Sequence, residues 1–427
     1  MKINTNPIRG TNDYAPKQAE LREEVRQIIL KCYRKNGFSL INTPILENLD
    51  LLNSSDGGDN LRLMFKTVKR GDKLDLTKPN LTEKDITEEG LRYDLTVPLA
   101  RFYANNREKL PCPFKAIQID YSFRAERPQR GRDRQFIQCD IDEFGDDSVE
   151  AEIDVLSTGL SAYKDLGFED LTVKVNSRQV LNAIVLNAGY EESDINTVCV
   201  SLDKIDKIGL EGVEAELRAK EDGKLENNNS ACYNKVNKLI ESLKEVLDSG
   251  IDCLEKFGVQ AEDVERIKIL INSVNNTFKS WNKENYKCEF NISIVRGQGY
   301  YTGVVYEVYT QGFGGAIGAG GRYDKMITKL IGIDVCAVGF SIGFAPVCML
   351  LEEKGIKLNS TSKIALIYEN ESFEQVLEYK QKLMENYNVS IYKKPKNLKN
   401  LLEKLEFANF NGFVVYNENQ NSEIKYF

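Results

Sequence analysis

Histidine is absent from all 427 residues. That excludes histidine general bases, Ser-His-Asp and Cys-His nucleophile systems, and histidine-ligated zinc. Any catalysis must rest on carboxylates, arginines, backbone amides and bound cations. Long apolar runs are missing as well, since the hydrophobic stretches are short and broken by charge, so no transmembrane helix is expected. Residues 1–16, "MKINTNPIRGTNDYAP", lack the apolar core of a signal peptide, and a cytoplasmic protein is expected. The nine cysteines form no CxxC pair, which argues for free thiols. Nor is there an excess of positive charge: 57 Lys and Arg against 65 Asp and Glu leave −8. That balance does not advertise a nucleic-acid partner, although local basic patches still bind phosphate.

What is present is the composition of a globular chain, 41% apolar and 29% charged, long enough for two or three domains. Leu21, Val25, Ile28, Ile29 and Cys32 recur at helical spacing over 17–36, with Gly37 placed as a C-cap. "FSLINTPILE" reads as a strand, and the polar 55–90 as an elaborated hairpin or solvated loop. From 114 the pattern is strand, arginine-rich loop, strand. Helices are expected at 150–165 and 176–190 around the strand "LTVKV". Residues 192–280 read as a helical insertion in which "TVCVSL" is the one strand-like segment. Short strands return with "FNISIVRG" and "GVVYEVYT", and "AVGFSIGFAPVCMLLEEKG" reads as a strand entering a helix. After a linker at 356–362, strands and helices alternate as in a small α/β domain with a mainly parallel sheet.

Three constellations carry polar chemistry. In "LRYDLTVPLAR" (91–101), Asp94 and Thr96 on one strand face suit an ammonium group, or an internal salt bridge to a nearby arginine. "FRAERPQRGRDRQF" holds Arg124, Arg127, Arg130, Arg132 and Arg134, whose planar forks suit phosphate and carboxylate. Phe136 offers a face for a nucleobase, and the alternation Phe136, Gln138, Asp140, Asp142 puts two carboxylates and an amide on one side of a strand. "RGQGYYTG" (296–303) and "GAGGRYD" (318–324) place Arg296, Tyr300, Tyr301 and, after a glycine turn, Tyr323 around a polar ligand or a satisfied core network.

Together these motifs resemble the class II aminoacyl-tRNA synthetases, and within them the histidyl-tRNA synthetase family. "RGTNDYAP" and "TPILE" are similar to motif 1, and "FRAERPQRGRDRQFIQCDIDEFG" to motif 2. "RGQGYYTG" and "GAGGRYD" are similar to the two histidine-specific motifs, and "AVGFSIGFAPV" stands at motif 3. The resemblance implies an α+β catalytic domain with an antiparallel sheet at 1–191 and 281–355. It also implies a helical insertion domain at 192–280 and an anticodon-binding-type α/β domain at 363–427.

It implies ATP, with Mg2+, and histidine as substrates, tRNA(His) as acceptor, a homodimer, and no membrane. Arg124 and Arg296 are then the catalytic arginines at the α-phosphate. Glu126 and Phe136 lie at adenine, and Arg132 at the outer phosphates. Asp94, Thr96 and Gln138 surround the ammonium and carboxylate of histidine. Asp142 and Tyr301, with Tyr300 beside it, and Tyr323 surround the imidazole. No residue is implied as a resident metal ligand. Two departures accompany the match: Ala345 and Pro346 occupy the positions of a family Glu-Arg pair whose arginine binds the γ-phosphate, and Gln298 and Gly299 replace Leu-Asp. A synthetase-like paralogue that senses histidine as a regulatory subunit of ATP phosphoribosyltransferase, with that enzyme's catalytic subunit as partner, is the second reading.

Overall fold

The computed structural model describes residues 3–54, 62–222, 230–295, 301–355, 361–417 and 423–427. Arg296 and Tyr300 lie outside the described residues. The chain divides into two compact units, residues 28–350 and residues 1–27 with 351–427.

The larger unit is built on an eight-stranded sheet. In spatial order its strands are Ser39–Leu40, Phe114–Phe123, Gln135–Phe144, Ala337–Gly343, Gly318–Arg322, Val304–Tyr309, Leu171–Ser177 and Tyr286–Phe290. Only the first and last pairs are parallel; every other neighbour is antiparallel. Helix Val149–Asp165 covers one face. Its Gly159 lies against the Phe340 ring, and Tyr163 donates its hydroxyl to the Ile317 carbonyl at 2.6 Å. On the opposite face the period-two alternation turns Gln138, Asp140 and Asp142 toward a pocket, beside Gly339, Ser341 and Gly343 of the next strand. A core against the helix and a polar face toward the cleft is what a one-sided antiparallel sheet permits.

A second, three-stranded antiparallel sheet joins Leu46–Asn48, Thr87–Leu91 and Lys66–Val68, so the described part of 55–90 forms a hairpin around the polar stretch 69–86, while 55–61 lie outside the described residues. "FSLINTPILE" is two short strands rather than one, because Thr43 and Pro44 give their carbonyls to the buried Arg92 guanidinium.

Three further expectations are corrected. "TVCVSL" lies in helix Ile195–Leu202: Ile195, Val198, Cys199 and Leu202 are buried at helical spacing, and that stripe outweighs the β-branched residues. "GAGGR" is a strand, not a turn preceding Tyr323, because it must pass close between two neighbouring strands. "FNISIVRG" leaves the sheet at Phe290, where Asn291 accepts the Ser293 amide in a local turn.

In the smaller unit, strands Asn388–Lys393, Lys363–Tyr368 and Gly412–Val415 are parallel, and Lys425–Tyr426 pairs antiparallel at the edge. The apolar run "KIALIY" is buried on both faces. Ile364 and Leu366 pack with Val376 of helix Phe373–Met384, while Ala365 and Ile367 pack with Leu405 of helix Leu398–Phe407. No described helix is long and apolar enough to cross a membrane.

Candidate active site

The pocket on the polar face of the large sheet has a volume of about 600 Å³, within the range of small-molecule sites. All ten of the described site residues expected from sequence line it: Asp94, Thr96, Arg124, Glu126, Arg132, Phe136, Gln138, Asp142, Tyr301 and Tyr323.

Arg92 sets the wall that carries Asp94. Its fully buried guanidinium reaches Asp120 at 2.8 Å and the carbonyls of Thr43 and Tyr121, so the irregular stretch after strand Thr87–Leu91 is tied to both flanking segments. Asp94 is not on a strand face with Thr96. Its Oδ1 accepts the Val97 amide at 3.2 Å, Thr96 opens helix Thr96–Asn106, and Pro98 fits the first helical turn. Side-chain capping has overridden the strand-like alternation.

The arginine loop is a tight hairpin. Gln129 and Arg132 exchange backbone hydrogen bonds at 3.0 and 2.9 Å across Arg130–Gly131, with Gly131 at φ +73°. Of its five arginines, two line the pocket, Arg124 and Arg132. Arg124 donates Nε to the Tyr93 carbonyl at 2.9 Å, and its guanidinium carbon stands 5.0 Å from the centre of the Phe136 ring. Arg134 is spent on the loop itself, donating to the Glu126 carbonyl at 3.0 Å.

The floor is acidic. Gln138 donates to Asp140 Oδ2 at 3.2 Å, and Tyr323 donates its hydroxyl to Asp142 Oδ1. Asp94 Oδ2, Gln138 Oε1, Asp140 Oδ1 and Asp142 Oδ2 are buried acceptors that receive no hydrogen bond within the described residues. Buried acceptors are normally paired, so four of them facing one pocket call for a ligand rich in N–H donors.

Burial raises the Asp94 carboxyl to about 6, against the Val97 amide and Arg124, which hold it down. Burial likewise raises Asp142 to about 7, opposed by the Tyr323 hydroxyl and assisted by Asp94. Asp140 is pushed well above its usual range by burial and then by the neighbouring Asp142. Since these groups titrate near 3.8 when unfolded, the ligand-free folded chain holds more protons than the unfolded chain between about pH 4 and 7. Their contribution is therefore most favourable at low pH and is lost as pH rises through the folded values. Melting temperatures across this window should fall with rising pH for this reason, and Asp142→Asn should flatten the slope.

Sequence reasoning placed Asp140 on the right face without assigning it a role. It missed Ser341, Glu307, and the rim formed by Asp203, Asp206 and Lys207 of the 192–280 segment. Strand alternation signals Ser341 and Glu307. Nothing local signals Lys207, which the start of helix Ile205–Asp222 brings to the pocket.

An antiparallel sheet whose polar face combines an arginine hairpin, an aromatic face and an acidic floor defines the chain as a class II aminoacyl-tRNA synthetase fold. The family model described as histidyl-tRNA synthetase matches residues 10–347. A histidine–tRNA ligase of Leifsonia xyli subsp. xyli is 34% identical over 96% of this chain and 94% of its own length. One from Cytophaga hutchinsonii is 32% identical over 94% and 90%. The crystal structure of histidyl-tRNA synthetase from Nostoc sp. PCC 7120 superposes with a TM-score of 0.73 at 25% identity, covering 100% of this chain and 95% of that one. An ATP phosphoribosyltransferase regulatory subunit/histidyl-tRNA synthetase from Bacillus halodurans shares the fold, with a TM-score of 0.74 at 18% identity over 97% of this chain and 99% of its own. The chain belongs to the histidyl-tRNA synthetase family.

Proposed function

We propose that the chain is a histidine–tRNA ligase that activates histidine with ATP and transfers it to tRNA(His). The observation that carries this reading is the set of four unsatisfied buried acceptors on the pocket floor. Histidine supplies what they lack, an ammonium with three donors and a ring N–H. In this reading Asp94, Thr96 and Gln138 hold the ammonium and carboxylate end. Asp142, Tyr301 and Tyr323 hold the imidazole, with Tyr300 beside them. Arg124 and Arg296 face the α-phosphate, Arg132 the outer phosphates, and Phe136 and Glu126 the adenine.

The histidine carboxylate attacks the α-phosphorus, pyrophosphate leaves, and the terminal ribose hydroxyl of tRNA then displaces AMP from the histidyl group. Both steps depend on positioning and on cationic stabilisation of charge at the transferring centre. A chain without histidine performs them with arginines. Among the described residues no group of three or more Asp, Glu or Cys is placed to hold a metal ion. Mg2+ accompanying ATP is held chiefly by phosphates.

Residues 192–280 act in this reading as the insertion domain at the acceptor stem, and 363–427 as the anticodon-binding domain. The domain 363–427 has no arginine, and "KKPKNLK" at 393–399 is its basic patch. A homodimer is proposed through the three-stranded sheet, where Ile45, Leu46 and Val68 are exposed.

Pro346 favours the histidine-sensing reading, since it lines the pocket where the family places a cation. Histidine-dependent ATP–pyrophosphate exchange separates the two. Exchange above background supports the ligase. Histidine binding without exchange, together with activation of an ATP phosphoribosyltransferase catalytic subunit, replaces it with the sensor.

A further inference from the structure

We infer that Glu152, which does not line the pocket, is a positioning residue for the amino-acid site and holds Tyr301 and Tyr323 in place through Arg322. The inference rests on the reading that these tyrosines border bound histidine.

Glu152 stands on helix Val149–Asp165, on the side of the sheet away from the pocket, and is fully buried. Its carboxylate is shared by two arginines from separate elements. Arg322, the last residue of strand Gly318–Arg322, donates Nε at 2.6 Å. Arg266, from helix Ala261–Ser280, donates Nε to Oε2 at 3.0 Å and Nη2 to Oε1 at 2.9 Å. Three of the four remaining Arg322 N–H groups are also engaged: Nη1 with the Asp146 carbonyl at 3.2 Å and Asp324 Oδ1 at 3.3 Å, Nη2 with the Ser148 carbonyl at 3.1 Å. A planar guanidinium with four fixed partners has one orientation.

That orientation is passed to the pocket by the backbone. Tyr323 follows Arg322 directly, and its hydroxyl donates to Asp142. The Arg322 carbonyl accepts the Thr302 amide at 2.8 Å, which ties down the residue after Tyr301. Thr302 Oγ1 in turn accepts the Asp324 amide at 3.0 Å, and Asp324 Oδ1 accepts the Ala337 amide at 2.8 Å. The Arg322 stem fills the space under Gly303, where an added Cβ would lie 3.1 Å from it. Moving Arg322 therefore moves both tyrosines. A buried ion pair is weak support for stability, since apolar residues of similar volume serve as well. What this one supplies and they would not is direction at Tyr323.

The test is calorimetric binding of histidine and of ATP to the full chain, with melting temperatures, for wild type, Glu152→Gln, Glu152→Asp, Arg266→Gln and Tyr323→Phe. Glu152→Gln should weaken histidine binding about tenfold and leave ATP binding within about twofold. Glu152→Asp, which keeps the charge, should recover most of the loss. Arg266→Gln removes the more exposed arm and should shift histidine binding in the same direction by a smaller factor. If Glu152→Gln does not fold, Arg266→Gln decides by the same criterion. Equal weakening of both ligands, or unchanged histidine binding in folded variants while Tyr323→Phe weakens it, overturns the positioning role alone. Absence of histidine binding to the wild type, or a Tyr323→Phe variant that binds like wild type, overturns the site reading and this role with it.

Discussion

Arg124→Ala is expected to lower histidine-dependent ATP–pyrophosphate exchange by about 10²–10³-fold, the usual cost of removing one preorganised donor at a developing charge. Arg124 is held for this task before any ligand arrives. Its Nε is committed to the Tyr93 carbonyl, and its guanidinium lies against Phe136. The remaining N–H groups are left to face the pocket that both residues line. Arg124→Lys should restore little, since an ammonium cannot bond Tyr93, stack on the ring and reach a phosphate together. The same arginine lowers the Asp94 carboxyl, so its loss moves that group further up. Histidine binding should consequently weaken as well, but less than the chemical step. Single-turnover adenylate formation measured beside equilibrium histidine binding separates the two effects; equal losses would show that Arg124 serves binding alone.

How much of this was readable beforehand differs from element to element. The hairpin Phe114–Phe123/Gln135–Phe144 was legible because period-two alternation survives burial of one face, and its strands and loop carry six of the expected residues. The strand–helix passage through Ala337–Gly343 and the two-faced strand Lys363–Tyr368 were legible instead as short, nearly continuous apolar runs, the second because both of its faces are buried. Asp94 and Thr96 were found as chemistry but misplaced as structure, because a carboxylate that caps a helix looks in sequence like one on a strand. "GAGGR" read as a turn because glycine marks turns more often than it marks strands passing close to their neighbours. Lys207 and Asp206 carry no local signal. They reach the pocket only through packing of a helical segment, and residues joined solely by long-range packing are invisible to spacing arguments. Glu152 was hidden in the same way, as an ordinary charge on an amphipathic helix.

Gly339→Ala should separate function from folding more sharply than any change to a charged residue. An added Cβ at 339 would stand 2.0 Å from Asp142 Oδ1, 3.0 Å from its Cγ and 3.3 Å from the Ile141 carbonyl. The atom in the way is the end of a side chain, so the carboxylate rotates aside and the sheet stays. Rotation breaks the contact with Tyr323 and turns the acceptor away from the pocket. Losing a hydrogen bond to a charged group costs about 1.5–3 kcal/mol, or roughly 10- to 150-fold in affinity. Histidine binding should fall by that factor, while the chain stays folded. Gly320→Ala, on the neighbouring strand, is the opposite case. There the Cβ would meet the Gly339 carbonyl at 2.1 Å, Tyr306 Cε2 at 2.6 Å and Phe340 Cα at 2.9 Å. Backbone cannot rotate aside, so that variant should lose about 1–3 kcal/mol of stability through overpacking. If Gly339→Ala instead unfolds like Gly320→Ala, the space at Gly339 serves strand packing. If it folds and binds histidine normally, Asp142 is not an amino-acid contact.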